Sequence, residues 1–198
     1  MKIGITGGIG SGKSYVCLRL KARYGIEVYD CDAAAKRLMH DSPELRQQLT
    51  DLIGPDTYLP SDDSLLTPPL SPLNKPAVAR FLLASEANAH AIDAIVHPAV
   101  FRDFESSGCL WMESAILFES GAYRLVDRSI VVTAPEEVRL HRVMLRDGIS
   151  REKAAEWMQR QWPQDKVRQL ADFEIVNDGQ ADIDNQITQI IEQCNRPF

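Results

Sequence analysis

The residues with the clearest chemical potential lie close to the N-terminus, where glycines precede a lysine and a serine. The sequence reads Gly7-x-x-x-x-Gly12-Lys13-Ser14, which fits the P-loop pattern at every fixed position. In this pattern backbone N–H groups and the positive end of a helix face an anion, while the lysine contacts phosphates and the serine contacts Mg²⁺. The spacing therefore predicts a nucleoside triphosphate site. The dinucleotide pattern G-x-G-x-x-G fits in no register here, which disfavours NAD.

The segments around this loop have the elements needed to position it. Residues 2–6 are typical of a short strand, and residues 12–24 of a helix. A second strand is predicted over residues 26–29, with the next helix starting at Ala33. Asp32 lies between them, at the carboxyl end of a strand, where α/β sheets bind ligands. Asp32 therefore either takes part in the chemistry or caps the helix.

Three more strands are predicted downstream, over residues 109–113, 128–133 and within 171–179. Alternation of strands with helices predicts an α/β fold, with a five-stranded parallel sheet covered on both faces. Glu113 stands near the carboxyl end of the third strand, where a carboxylate can hold the water shell of Mg²⁺. The alternative for Glu113 is a solvated loop carboxylate.

The middle of the chain, from about residue 43 to 105, is typical of interrupted helices. A proline-rich connector occupies residues 55–76. The helical pattern that follows is predicted to break or kink at His97-Pro98. We interpret this region as a helical insertion that covers a substrate. His97 is then either a substrate ligand or a packed residue at the helix break.

A set of arginines follows the fourth strand. Thr133-x-x-Glu136 predicts a capping box at the start of the next helix. Three arginines at spacings of three and four share one face of that helix, namely Arg139, Arg142 and Arg146. They form either a phosphate clamp or a solvated stripe paired with the glutamates of the first turn. In an acidic chain, a one-sided arginine face favours the clamp.

Composition limits the function classes. The chain has 198 residues, 44% of them hydrophobic and 25% charged, with a formal net charge of −6. An acidic chain is unsuited to broad nucleic-acid binding, which requires a basic surface. No apolar run approaches a membrane span, and no secretion signal is evident. The four cysteines lack C-x-x-C spacing, which favours reduced thiols and a cytoplasmic protein.

Taken together, the motifs resemble those of the dephospho-coenzyme A kinase family, and the match extends over essentially the whole chain. The segments that carry the resemblance are TGGIGSGKS (6–14), DCDAAAKRL (30–38), IVHPAV (95–100), ILFESG (116–121), RDGIS (146–150) and AD-x-x-IVN (171–177).

The resemblance implies a P-loop kinase fold in three parts. These are a core over residues 1–35, 106–135 and 170–198, a helical substrate-side insertion over 36–105, and a helical lid over 136–169. It also implies transfer of a phosphoryl group from ATP, with Mg²⁺, to the 3'-hydroxyl of dephospho-CoA. The expected partner is this small molecule, with no nucleic acid, no membrane and no obligatory protein partner.

The resemblance also assigns residues to roles. The expected catalytic residues are Asp32, Lys13, Arg142 and Arg146. The expected ATP-binding residues are Gly8, Ile9, Gly10, Ser11, Gly12, Lys13, Ser14, Tyr15, Arg142 and Asn177. The expected substrate-binding residues are Asp32, Lys75, His97, Glu119 and Arg139. The expected Mg²⁺ ligands are Ser14 and Glu113.

Two alternatives remain open from the residues themselves. One is another small-molecule kinase of the same fold, acting on a nucleoside, a nucleotide or a shikimate-like alcohol. The other is a GTPase-type switch, which requires a guanine-reading Asn-Lys-x-Asp. Asn74-Lys75 is followed by Pro76-Ala77, so the aspartate is missing.

Overall fold

The structure is a computed structural model that describes residues 1–60 and 71–194. Its centre is a five-stranded, all-parallel sheet with strand order β2-β3-β1-β4-β5. The strands are β1 (Ile3–Thr6), β2 (Val28–Asp30), β3 (Trp111–Glu113), β4 (Arg128–Thr133) and β5 (Phe173–Val176). The prediction of a five-stranded parallel sheet in an α/β fold is therefore confirmed.

The α-helices of the described residues connect and cover these strands. They are α1 (Lys13–Tyr24), α2 (Cys31–Asp41), α3 (Pro43–Ile53), α4 (Lys75–Ala84), α5 (Glu86–Ser107), α6 (Glu136–Asp147), α7 (Arg151–Gln159), α8 (Gln164–Leu170) and α9 (Ile183–Cys194). Short 3₁₀ helices occupy Pro55–Thr57 and Ala122–Leu125. None of these helices has the length and apolar character required to cross a membrane.

The chain divides into two compact units, formed by the described residues of Met1–Asp30 with Cys109–Phe198, and of Cys31–Gly108. The first unit contains the whole sheet. Side chains of β1, β4 and β5 pack against α1 and α9 to form its main core, because alternate residues of each strand point to this face. On the opposite face Gly4 leaves room for Leu117 and Val126, so the segment after β3 lies close against the sheet.

The second unit is helical, as predicted for the middle of the chain. Its long helix α5 packs against α2, α3 and α4. The helix was predicted to break or kink at His97-Pro98, and the break is wrong, because α5 continues through Pro98. The kink stays a prediction. Buried residues four apart, from Ile92 to Phe104, hold the helix on both sides of the proline. The break falls instead at Ser85, whose side chain accepts a hydrogen bond from the Asn88 N–H.

Other local predictions fail where tertiary pairing outweighs the sequence pattern. The capping box at Thr133 is wrong, because Thr133 remains in β4 paired with Val176, and its hydroxyl donates to Glu174 at 2.7 Å. Helix α6 instead begins after Pro135. Helix α2 begins at Cys31 rather than at Ala33, which places Asp32 inside the first turn and removes its interpretation as the N-cap residue. Ten residues of the proline-rich connector, 61–70, lie outside the described residues.

Candidate active site

The glycine-rich loop joins β1 to α1 and has the backbone that its sequence predicts. Gly10 has φ +80° and Gly12 has φ +92°, in the left-handed region that disfavours residues with a Cβ. A Cβ on Gly10 would lie 2.6 Å from the carbonyl oxygen of Arg139, and one on Gly12 would collide with the side-chain amide of Asn177. The glycines are therefore needed for backbone conformation and for close packing. The following helix α1 directs its N-terminal N–H groups toward the loop.

Lys13 folds back over this loop. Its Nζ donates to the carbonyl oxygen of Gly7 at 2.8 Å and lies 3.8 Å from the carboxylate of Glu113. Both side chains are largely buried, with exposed fractions of 11% and 13%. Glu113 reaches this position because its strand β3 pairs directly with β1, Ile5 being opposite Glu113. The predicted phosphate-binding lysine and the predicted metal-binding carboxylate are thus brought together.

The residues present fit a phosphate-bound magnesium ion better than a protein-only metal centre. In residues 1–60 and 71–194 no three His, Cys, Asp or Glu side chains cluster as a metal site. Mg²⁺ is typically held by one or two protein oxygens together with phosphates and water. Ser14, in the first turn of α1, and Glu113, at the end of β3, can supply such oxygens.

Arg142 and Asn177 hydrogen-bond to backbone carbonyls of the loop. The Arg142 guanidinium donates to the carbonyl oxygens of Gly10 and Ser11, at 3.3 and 3.2 Å, and to the Asn177 Oδ1 at 3.3 Å. The Asn177 Nδ2 donates to the Ser11 carbonyl at 2.8 Å. The Ser11 N–H donates to the Gly8 carbonyl at 3.0 Å, which closes a turn within the loop. The sequence predicted both residues as ATP ligands but did not predict their contacts with the loop backbone.

Arg139 is more buried than Arg142 and Arg146, the other two arginines of α6. It is 7% exposed, and its Nε donates to the Ile9 carbonyl at 2.9 Å. Burial lowers the pKa of the guanidinium, although Glu136 partly opposes this shift. Its predicted contact with the acceptor substrate remains a prediction. The structure shows a contact with the loop apex.

Arg146 occupies a different environment from the other two arginines of α6. Its guanidinium pairs with the neighbouring Asp147 at 2.7 Å, and its side chain is 63% exposed. This hydrogen-bonded ion pair raises the pKa of Arg146 and lowers the pKa of Asp147. The predicted shared face therefore contains two residues that contact the loop and one that forms a surface pair. The alternative pairing with the first-turn glutamates is not seen for Glu137, which pairs with Arg151.

A cavity opens at the end of the loop where α1 begins. Its volume is about 470 Å³, and its lining residues are Gly12, Tyr15, Arg142, Asn177, Gly179, Ala181 and Ile183. Tyr15 is 50% exposed, so its ring is available to a ligand in this cavity. The volume falls within the range of small-molecule sites. The cavity therefore extends the phosphate loop with room for a heterocyclic base.

Gln161 and Glu119 connect the segment after α7 with the rest of the site. The Ile9 N–H donates to the Gln161 side chain at 2.8 Å, a contact that sequence reasoning did not find because the two residues are far apart in the chain. Glu119, predicted as a substrate ligand, accepts from the Trp162 N–H at 3.3 Å. Its other carboxylate oxygen is buried and has no hydrogen-bond partner among the residues that the structure describes.

The remaining predicted residues belong to the helical unit. Asp32 is exposed in the first turn of α2, and Lys75 is exposed at the first position of α4. His97 packs against Phe101, and its Nε2 lies 3.6 Å from the Asp93 carboxylate one turn earlier. These contacts are compatible with the packed-residue alternative, and the predicted contact of His97 with the substrate stays a prediction.

Comparison with known proteins agrees with this geometry. The family model described as dephospho-CoA kinase matches residues 1–182. The dephospho-CoA kinase of Chlorobaculum tepidum is 37% identical over 200 residues, covering 96% of this chain and 93% of the relative. That of Porphyromonas gingivalis is 40% identical over 201 residues, covering 96% and 92%. The crystal structure of TT1252 from Thermus thermophilus has a TM-score of 0.81 at 28% identity, covering 100% of this chain and 98% of that chain. From these matches, together with the phosphate loop and its arginines, the chain belongs to the dephospho-CoA kinase family.

Proposed function

We propose that this protein transfers the terminal phosphoryl group of ATP to the 3'-hydroxyl of dephospho-CoA, giving CoA and ADP, the last step of coenzyme A biosynthesis. The observation that carries the proposal is the phosphate loop itself, with Lys13 folded across it and Glu113 3.8 Å from the lysine. Family membership supports the choice of acceptor. Scattered free cysteines support a reducing cytoplasm as the location.

Binding of ATP follows from the two parts of the described site. Amides at residues 12–14 and the Lys13 ammonium would neutralise the triphosphate, because both lie at the N-terminal end of α1, whereas the Ile9 and Ser11 N–H groups donate to Gln161 and to Gly8. The cavity lined by Tyr15, Arg142 and Asn177 would receive the adenine. Arg142 would thus contribute twice, by holding two loop carbonyls and by forming a wall of the nucleotide site.

Charge neutralisation is the main requirement of phosphoryl transfer, and the chain concentrates cations for this purpose. Lys13 stabilises negative charge on the transferring group, and we assign Arg146 the same role. When bound through Ser14 and Glu113, Mg²⁺ would supply further positive charge to the phosphate oxygens. Loss of one such interaction typically costs about 2.7–4 kcal/mol of transition-state stabilisation.

We assign the acceptor hydroxyl to Asp32. A carboxylate is a weak base toward a sugar hydroxyl, so its main role is to orient the hydroxyl and to accept the proton late in the transfer. Asp32 is exposed at the start of a helix, which leaves its carboxylate available to a substrate. Further contacts with dephospho-CoA are assigned to Lys75, His97, Glu119 and Arg139. The lid over residues 136–169 would close to exclude water from the reaction.

The decisive test is an acceptor panel with purified protein, ATP and Mg²⁺. Release of ADP would be followed with dephospho-CoA, nucleosides, nucleotides and shikimate, and the phosphorylated product identified by mass spectrometry. We expect turnover with dephospho-CoA and only slow ATP hydrolysis without an acceptor. Lys13→Met provides the control for contaminating kinases, because it removes the ammonium from the loop. Faster turnover of another acceptor would identify a different small-molecule kinase. Selective GTP binding without transfer would identify a switch.

A further inference from the structure

Ile9, at the apex of the phosphate loop, makes three contacts with the segment that follows β4, namely two backbone hydrogen bonds and one packing contact. The Ile9 N–H donates to the Gln161 Oε1 at 2.8 Å. The Ile9 carbonyl accepts from the Arg139 Nε at 2.9 Å. The Ile9 side chain packs against a small hydrophobic cluster of α6 and α7, whose buried members are Leu140, Val143 and Ala154.

This attachment matters because Ile9 is flanked by Gly8 and Gly10. Glycines leave a loop many accessible conformations, and ordering such a loop costs about 1–2 kcal/mol per residue. A loop that is already held in one conformation does not incur this cost when a nucleotide binds. The contacts of Ile9 therefore preorganise the neighbouring amides that face the phosphates.

Gln161 also contacts the segment that follows strand β3. Its Nε2 donates to the Ala115 carbonyl at 3.3 Å, two residues beyond Glu113. One side-chain amide thus connects the loop apex with the segment that follows the proposed metal ligand. Asn and Gln are the side chains that offer an amide donor together with a carbonyl acceptor, so Gln161 suits both contacts.

We propose that Gln161 is a positioning residue for phosphoryl transfer, acting through the Ile9 amide to keep the phosphate loop in its nucleotide-binding conformation. The proposal rests on the proposed kinase function for its kinetic consequence. Gln161 binds the N–H of Ile9 itself, so it orders the loop from the lid side without using the amides at the start of α1.

The first test compares Gln161→Leu with Gln159→Leu, which makes the same change two residues away on an exposed side chain. We expect Gln161→Leu to raise the KM for ATP about tenfold, the effect of losing the partly buried hydrogen bond to the Ile9 N–H. The KM for dephospho-CoA should stay within about twofold, and Gln159→Leu should leave both values unchanged. A purely structural defect would lower the active fraction and change neither KM, and that outcome would overturn the proposal.

The second test measures the Ile9 amide directly, without turnover. Hydrogen exchange of the Ile9 N–H, followed by NMR of the full-length protein, should be slow in the wild type and in Gln159→Leu. Gln161→Leu should accelerate it at least about tenfold. Gln161→Glu retains an acceptor oxygen for the Ile9 N–H and should keep its exchange slow. Unchanged exchange in Gln161→Leu would contradict the proposal.

The two proposals fail in distinguishable ways. If the wild type does not phosphorylate dephospho-CoA, the proposed function is wrong. ATP affinity measured by calorimetry and Ile9 exchange then still decide the role of Gln161. If the wild type is active while Gln161→Leu binds ATP with wild-type affinity, the positioning role alone is rejected.

Discussion

Substitution of Gly12 by alanine tests whether the phosphate loop depends on close packing as well as on backbone conformation. Gly12 adopts φ +92° and ψ 29°, and a Cβ there would collide with the Asn177 Nδ2. That nitrogen donates to the Ser11 carbonyl, and the Oδ1 of the same amide accepts from Arg142. Relief of the collision therefore requires the Asn177 side chain to leave two hydrogen bonds.

The expected loss of stability follows from two separate costs. A left-handed conformation costs an L-residue about 1–2 kcal/mol. Two hydrogen bonds contribute about 0.5–1.5 kcal/mol each. Gly12→Ala should therefore lower the free energy of unfolding by about 2–5 kcal/mol. The loss of stability is slightly smaller when the lower conformational entropy of the unfolded alanine variant is included, because that term favours folding.

Gly25 supplies a matched control at the other end of the same helix. It adopts φ +64° and ψ 18°, but no atom lies within 4 Å of the Cβ that alanine would add. Gly25→Ala should therefore cost only the backbone term, about 1–2 kcal/mol. Since the unfolded-chain entropy is the same for both variants, their difference contains the collision with Asn177 and the added backbone strain of φ +92° at Gly12.

A double-mutant cycle completes the test, with urea denaturation as the assay. In an Asn177→Ala background the colliding amide is absent, so Gly12→Ala should cost less than it does in the wild-type background. Titration with ATP should show weaker binding for Gly12→Ala and unchanged binding for Gly25→Ala. If Gly12→Ala and Gly25→Ala are equally destabilised in the wild-type background, the close-packing argument is refuted.

Three further predictions concern single side chains. Asp32→Asn should abolish most of kcat and leave ATP affinity near normal by calorimetry; retained turnover would remove Asp32 from the mechanism. Glu113→Gln should weaken Mg²⁺-dependent turnover but tighten ATP binding in EDTA, because a carboxylate beside Lys13 is removed; weaker binding in EDTA would contradict this. Burial, with a smaller contribution from Glu113, raises the pKa of the Cys17 thiol from 9.0 to about 12. The unfolded thiol ionises first, so stability should fall as pH rises between these values, and the slope should decrease in Cys17→Ala.

Parts of the site that depend on neighbouring residues could be predicted from the sequence. The phosphate loop is one contiguous motif, so its glycines, Lys13 and Ser14 specify local backbone geometry. The spacing of Arg139 and Arg142 correctly indicated side chains on one face of a helix. The spacing could not show that Arg146 differs from the other two arginines. Arg146 forms an ion pair with Asp147 at the end of the helix, and the spacing of arginines alone does not predict this pair.

Contacts between distant segments could not be predicted in the same way. Gln161 lies 152 residues from Ile9 in the chain, and nothing in a lone glutamine indicates such a partner. Thr133 shows the opposite error, since a local capping pattern was present but strand pairing with Val176 prevailed. Pro98 is similar, because burial of Val96 and Val100 maintains a helix that local propensity would interrupt. In each case non-local packing determines the outcome.

Under the proposed function, the closeness of Lys13 and Glu113 would allow an acidic chain to select a polyanion that carries a metal. At 3.8 Å, two unit charges interact by about 4 kcal/mol at an effective dielectric constant of about 20. Without a divalent ion, Glu113 therefore offsets much of the attraction that Lys13 offers to a phosphate. In the proposed kinase, a divalent cation held by Glu113 would reverse the sign of that contribution, so the same carboxylate would oppose free ATP and favour its magnesium complex. Since the chain carries a net charge of −6, such selectivity would arise from this local arrangement and not from the overall field.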